Sequence, residues 1–373
     1  MISSCSSSSC EPAKKLTSRF DALTSLRFFA AIYVLAFHLG NTGPMRHSEA
    51  LSWRIFIDHG YLAVSFFFIL SGFLLTRTYS DRWAEGSYKQ FIIARFARIY
   101  PVYVLALLIQ APFYLPTAHL PKAMAVALML QSWTVLPSDY PGAWNFPAWT
   151  LSVEWFFYVV FPVLLWLVTR IQRKRVAIAA LLITSLAIGG PQAAIGARLS
   201  WFSQHIPLPL LRLPEFLLGM VVATVEQSRR LKPGRWTAVA VILTVLLLSL
   251  NIHRFVTLVV ASFAAMIWLL AHEDNAIRRG LELPALVLLG GASYAIYILQ
   301  DPLRNWLTLW NESLHLPAME LVAYPLGLIA FSVAVFRWLE EPARRWLRSI
   351  NKTKERGVYG LGLSLVETSA RPE

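Results

Sequence analysis

Apolar positions in this chain come in long continuous runs rather than at the two-residue period of half-buried strands, and short polar segments rich in Lys and Arg separate them. A helix rises about 1.5 Å per residue, so about 20 mostly apolar residues are needed to cross a hydrocarbon core. By that measure the pattern predicts spanning helices at 22–40, 60–79, 99–116, 147–169, 176–195, 207–226, 236–252, 254–271, 284–308 and 317–339. A further apolar stretch, 122–136, is short. A closed transmembrane barrel would alternate in and out along each strand, and these runs do not. The expected fold is all-α, a polytopic transmembrane bundle of about ten spanning helices plus one short segment that does not span.

Composition agrees: 56% of the 373 residues are hydrophobic and 15% are charged. An ordinary soluble domain has about 45–50% apolar and about 25% charged residues, so one soluble core is excluded. Two cysteines, both in the opening MISSCSSSSCEPAKK, exclude a disulfide scaffold. That opening has no apolar core segment of a secretory signal, and 1–20 is expected to be a disordered Ser-rich tail. The remaining organisation is read as one membrane domain over 21–347 and a polar C-terminal tail over 348–373.

The net charge of +13 changes the picture through its placement. Lys14, Lys15 and Arg19 precede the first run, and Arg77, Arg82, Lys89, Arg95 and Arg98 follow the second. Arg170, Arg173, Lys174 and Arg175 form the next cluster, then Arg229, Arg230, Lys232 and Arg235, then Arg278 and Arg279, and last Arg344, Arg345 and Arg348. This is the positive-inside pattern rather than a nucleic-acid surface. With every cluster cytosolic, both termini are cytosolic and the number of crossings is even, which makes 122–136 interfacial, re-entrant or buried in the bundle.

Ionisable groups inside a span are costly and are functional candidates by default. The first run carries Arg27 and His38. Eleven residues at about 100° each return almost to the same face, roughly 16 Å along the axis. Taken singly, Arg27 can snorkel to the interface and His38 can be a hydrogen-bonded bundle histidine; sharing one face, they favour a function. Glu154 sits among Trp, Phe and Val in PAWTLSVEWFFY and must find a partner or a proton. A contact between Glu154 and His38 is expected, the carboxylate orienting the imidazole as a general base; a purely structural ion pair is the alternative. Ser71 and Gly72 lie in a Phe-rich run, where Gly admits close approach of a backbone or a ligand. Arg95 and Arg98 suit phosphate groups, although interfacial anchoring explains them equally well. Arg212 and Glu215 are spaced for an intramembrane ion pair. Ser293, Tyr294, Tyr297, Gln300 and Asp301 form a polar stripe along an apolar helix. His47, His59 and His253 are expected to be solvated, and Trp133, Trp144 and Trp149 to form an aromatic belt. No GxxxxGK[ST], HExxH, CxxC or GxSxG pattern occurs, so nucleotide hydrolysis, metalloprotease and serine-hydrolase chemistry have no support, and no metal site is expected.

Taken in order, FDALTSLRFFAAIYVLAFH, VSFFFILSGFLL, RFARIYPVY, PAWTLSVEWFFY, RLPEFLLG, GASYAIYILQDP and RWLEEPARRWL resemble the acyltransferase-3 family of integral membrane acyltransferases. The matches cover about residues 20–347, nearly the whole chain. The resemblance implies O-acylation of sugars or other hydroxyl acceptors, with His38 catalytic, Arg27 its motif partner and Glu154 the family's acidic residue. It assigns Arg95 and Arg98 to the family's cytosolic Arg-x-x-Arg. Two departures stand out: Gln300 where many relatives carry His, and DALTSLR where relatives often read DGLRGLR. The implied partners are the lipid bilayer, a cytosolic acyl-CoA donor (acetyl-CoA foremost) as co-substrate rather than resident cofactor, and a glycan or hydroxylated small molecule as acceptor, with no nucleic acid. The donor's phosphates would sit near Arg95, Arg98 and Arg27, with Ser71 and Gly72 lining the donor site and Arg212, Glu215, Tyr294, Tyr297 and Gln300 serving substrate or structure. A multi-pass enzyme of the cytoplasmic membrane is the expectation. Its rival is a proton-coupled transporter using the same intramembrane Arg, His and Glu.

Overall fold

The computed structural model describes residues 11–42, 51–80, 88–115, 119–133, 144–170, 206–225, 234–250, 256–311 and 319–346, with backbone alone for 11–19, 41–42, 51–53 and 320. Every regular element among them is helical. In chain order these are α1 (Glu11–Thr42), α2 (Leu51–Asp58), α3 (Ala63–Tyr79), α4 (Tyr88–Tyr114), α5 (Leu120–Ala127), α6 (Trp149–Thr169) and α7 (Leu208–Leu211). They continue with α8 (Leu213–Thr224), α9 (Trp236–Ser249), α10 (Val256–His272), α11 (Ala276–Leu281), α12 (Pro284–Asn311) and α13 (Tyr324–Val335). The last is flanked by π-helical segments Met319–Ala323 and Phe336–Glu340. The helix of α1 begins at Glu11, inside the stretch expected to be a disordered tail.

Among the described residues six helices are long and apolar enough to cross a membrane: Phe20–Gly40, Arg54–Tyr79, Tyr88–Tyr114, Phe146–Thr169, Pro284–Asn311 and Leu321–Trp346. Each coincides with a run predicted from the sequence. The runs at 236–252 and 254–271 appear as the shorter apolar helices α9 and α10, and the run at 207–226 as the short α7 followed by the 12-residue α8. The run at 176–195 lies outside the described residues. A bilayer-facing surface explains why α9 leaves Val239, Ile242, Leu243, Val245 and Leu246 exposed. On its other face the Thr244 hydroxyl meets the Ser262 hydroxyl of α10 at 2.9 Å. Such a bond between spanning helices contributes about 0.6 kcal/mol.

Within 122–136, α5 has eight residues and is too short to span, as expected. It ends with Met129 at φ 56°, its N–H bonded to Val126 O at 3.0 Å, while Leu130 N–H reaches back to Ala125 O at 2.7 Å. This is a Schellman closure with Met where glycine is usual. The turn delivers Gln131 and Ser132 to the start of α6, where Gln131 Nε2 donates to Ala148 O (2.8 Å) and Ser132 Oγ to Trp149 O (2.8 Å). These bonds give the first carbonyls of α6 a second donor and tie the segment to the start of that helix.

Two pairings hold the bundle centre. α3 and α8 run in the same direction, with Ser65 meeting Glu215 near their starts, and approach most closely at glycines: a Cβ on Gly72 would lie 2.1 Å from Phe216 O, and one on Gly219 would lie 1.9 Å from Ile69 O. α1 and α12 run in the same direction, with Ser25 Oγ donating to Leu281 O (2.5 Å) just before α12 begins and His38 meeting Gln300 further along. His59 differs from its expected solvated position. It is 6% exposed, with Nδ1 3.0 Å from Leu248 O. His47 and His253 lie outside the described residues. Trp149 is likewise no belt residue, because it packs inward against Phe68 and under the Arg212 guanidinium.

Candidate active site

The polar groups named from the sequence converge on two cavities arranged along α12. The first, about 240 Å³, is lined by Arg27 of α1, Ser71 of α3, Arg95 and Arg98 of α4, Glu154 and Tyr158 of α6, and Ser293, Tyr294 and Tyr297 of α12. Arg95 and Arg98 reach one side because they are three apart on a helix. Arg95 Nη2 donates to the Tyr79 hydroxyl at 3.3 Å, and the guanidinium lies 5.8 Å from the Tyr79 ring centroid. Glu154 Oε1 accepts from Tyr158 (2.5 Å), one turn along α6, and from Ser71 (3.3 Å). Among the described residues none of Arg27, Arg95 and Arg98 forms an ion pair with a carboxylate. The Ser293 hydroxyl, 1% exposed, has no hydrogen-bond partner among the described residues. Tyr294 donates to Ile99 O at 2.8 Å, tying α12 to α4. Nearby, Glu340 of the Phe336–Glu340 segment is buried and lies 3.7 Å from Arg344.

The second cavity, about 440 Å³, is lined by His38, Phe146, Gln300, Asp301, Arg304 and Tyr324 together with Leu35, Phe37 and Leu39. Gln300 Nε2 donates to Tyr297 O at 2.7 Å, which turns Oε1 toward His38 Nδ1, 3.1 Å away. An amide oxygen only accepts, so Nδ1 carries a proton, and in the neutral ring the lone pair is then on Nε2. The Tyr324 hydroxyl donates to Gln300 O and fixes the same turn of α12 from the far side. The Phe146 ring meets the imidazole edge-on, with centroids 5.5 Å apart at 79°.

The direct contact expected between Glu154 and His38 is not made. Glu154 is held by Ser71 and Tyr158 in the first cavity, and the imidazole is held by Gln300 in the second. The reason is azimuthal: α12 lies against α1 along the face that carries His38, so it is α12, not α6, that offers the partner. Gly72 also differs from its expected place at the donor site. Its open face is filled by the Phe216 backbone, while its neighbour Ser71 lines the cavity. Arg212 and Glu215 form the expected pair at 2.7 Å, both buried, with Glu215 Oε1 also accepting from Ser65 at 2.9 Å. They brace α3 against α8 and line neither cavity. Sequence reasoning missed Tyr158 and Arg304. Each is four residues beyond a residue it did single out, Glu154 and Gln300, so extending those helix faces by one turn would have found both.

Tyr297 lines the first cavity and lies one turn before Gln300 of the second; its hydroxyl lies 3.4 Å from Pro147 O and its ring 5.9 Å from that of Phe67. Three guanidiniums without carboxylate partners around one cavity, and a tautomer-fixed imidazole in the next, suit an anionic donor and a base.

Comparison with known proteins shows the family. A family model described as an acyltransferase domain matches residues 20–337. The acyltransferase MdmB of Streptomyces mycarofaciens is 33% identical over 311 residues, covering 75% of this chain and 78% of that protein. The peptidoglycan O-acetyltransferase OatA of Listeria monocytogenes is 28% identical over 39% of this chain and 24% of its own length. The O-acetyltransferase OatA of Staphylococcus aureus is 22% identical over 87% of this chain, which spans 57% of that protein. No solved structure gives a significant match. With its family match covering residues 20–337 and its apolar helices enclosing the two cavities, the chain belongs to the acyltransferase-3 family and is an acyltransferase of the membrane-helical kind.

Proposed function

We propose that the protein moves an acyl group, acetyl foremost, from acyl-CoA to a hydroxyl of a carbohydrate or glycosylated acceptor. The observation that carries this reading is the succession of the two cavities along α12, the arginine-lined one at Ser293, Tyr294 and Tyr297 and the His38-containing one at Gln300, Asp301 and Arg304. Donor phosphates engage Arg27, Arg95 and Arg98 bidentately, as guanidinium favours. Ser293, otherwise unpartnered, offers a hydroxyl to the polar arm of the donor. Glu154 is the acidic residue of the donor side, its carboxylate held by Ser71 and Tyr158 so that the guanidiniums keep one countercharge when the cavity is empty.

In the second cavity His38 Nε2 takes the proton of the acceptor hydroxyl as its oxygen attacks the thioester carbonyl. The carbon–sulfur bond breaks, an ester forms, and the imidazolium returns the proton to the departing thiolate. Gln300, rather than a carboxylate, orients the ring through Nδ1. By the positive-inside rule the basic clusters support a cytosolic side for both termini and for the donor.

The test is acceptor-dependent CoA release by the purified protein in detergent. His38→Ala is expected to abolish it while membrane insertion and abundance stay unchanged. Turnover that persists in that variant, or a requirement for an ion gradient, rejects the mechanism in favour of transport.

A further inference from the structure

The His38 cavity holds one charged group for which acyl transfer as described has no use. Arg304 lies one helical turn beyond Gln300 on the same face of α12 and lines the same cavity as His38. Among the described residues its guanidinium makes no hydrogen bond and has no carboxylate within ion-pair distance. The nearest candidate, Asp301, is committed elsewhere. Its Oδ2 accepts from Phe146 N–H (3.0 Å) and from Gln110 Nε2 (3.2 Å), and Asn305 Nδ2 donates to Gln110 Oε1 (3.0 Å) to hold that amide in place. The network pins the 146–148 turn to α4 and α12 and holds the Asp301 carboxylate near Arg304 but out of direct ion-pair contact with it. The other groups around it are the His38 imidazole and the Tyr324 phenol, and that phenol already donates to Gln300 O. A half-buried guanidinium that meets only neutral or committed groups is poised for an anion.

We propose that Arg304 is an acceptor-binding residue, and that the hydroxyl acylated at His38 belongs to a molecule that also bears a carboxylate or phosphate. A uronic acid or a sugar phosphate has this chemistry: a ring hydroxyl presented to Nε2 while the acidic group docks on Arg304. The cavity, about 440 Å³, falls within the range of small-molecule sites. The proposal rests on reading the His38 cavity as the acceptor side. Arg304 would thereby select acidic acceptors over neutral ones through a charge-assisted contact that the neutral analogue cannot make.

The test reads binding rather than turnover, so its outcome is separate from that of the CoA-release assay. The full chain in phosphatidylcholine nanodiscs is treated with diethylpyrocarbonate, and modification of His38 is followed by mass spectrometry. Glucuronate and glucose 1-phosphate are expected to slow the modification about tenfold at concentrations well above their dissociation constants, whereas glucose does not. Arg304→Gln should remove the protection, and Arg304→Lys, which keeps the charge, should retain part of it. Equal protection by glucose and glucuronate in the unaltered protein overturns the proposal, as does protection that survives in Arg304→Gln. Protection that appears without sugar when phosphatidylglycerol is added to the discs assigns Arg304 to a lipid phosphate and overturns it too. A His38 that the reagent never reaches shows a cavity closed to anything of sugar size, with the same consequence.

Discussion

At the residue scale, the imidazole of His38 is positioned by an amide. A carboxylate partner would stabilise the imidazolium and raise basicity, whereas Gln300 contributes orientation and tautomer alone. Gln300→Leu should therefore lower kcat by about tenfold to a hundredfold, a fraction of the full general-base effect, while KM for the acyl donor stays unchanged. Steady-state CoA release at varied donor concentration checks both parts, and a raised donor KM would instead place Gln300 in the donor site. His38 itself was legible in the sequence because an ionisable group in an apolar run advertises its cost. Its partner was not. Helical periodicity reports which residues share a face of one helix, and nothing in it states which other helix that face meets. Glu154 and Gln300 were equally compatible in depth, and only the packing of α12 on α1 decides between them.

At the element scale, the α3–α8 crossing sets the position of Ser71, and hence of Glu154, through backbone contact. Gly72 and Gly219 leave no space for a methyl group, since each Cβ would fall on a carbonyl oxygen of the facing helix rather than on a yielding side chain. Gly219→Ala should cost about 1–3 kcal/mol by forcing the helices apart. Gly327→Ala, where nothing lies within 4 Å of the added carbon, should leave the melting temperature in detergent unchanged. Equal melting of the two variants would show that α3 and α8 do not approach so closely. The same crossing carries the buried Arg212–Glu215 pair, whose i, i+3 spacing was readable in RLPEFLLGM. The long helices were readable as well, because length and apolarity are summed over 20 or more residues. The shorter α8, α9 and α10 were seen as apolar runs, but their bounds depend on where polar side chains find partners, such as Thr237 of α9 donating to the buried Glu273 carboxylate.

At the scale of the whole molecule, the proposed reaction has two cavities built from six helices and the 146–148 turn exchange an acyl group across one side chain. Tyr297 is that side chain. It lines the arginine cavity, its carbonyl anchors the amide that orients His38, and its hydroxyl reaches the turn that carries Phe146 into the second cavity. On the proposed reaction its ring is a wall between the donor and the water that accompanies an acceptor. Because the backbone carbonyl survives substitution, Tyr297→Ala removes the wall while keeping the Gln300–His38 geometry. The thioester should then meet water as readily as acceptor, so CoA release without acceptor rises while the yield of acylated product per CoA falls. Tyr297→Phe keeps the ring and loses only a 3.4 Å hydrogen bond, so its coupling should stay close to that of the unaltered protein. Parallel quantification of free CoA and acylated acceptor separates these outcomes. If Tyr297→Ala stays fully coupled, the acyl group travels by another path and the two cavities are not successive chambers of one reaction.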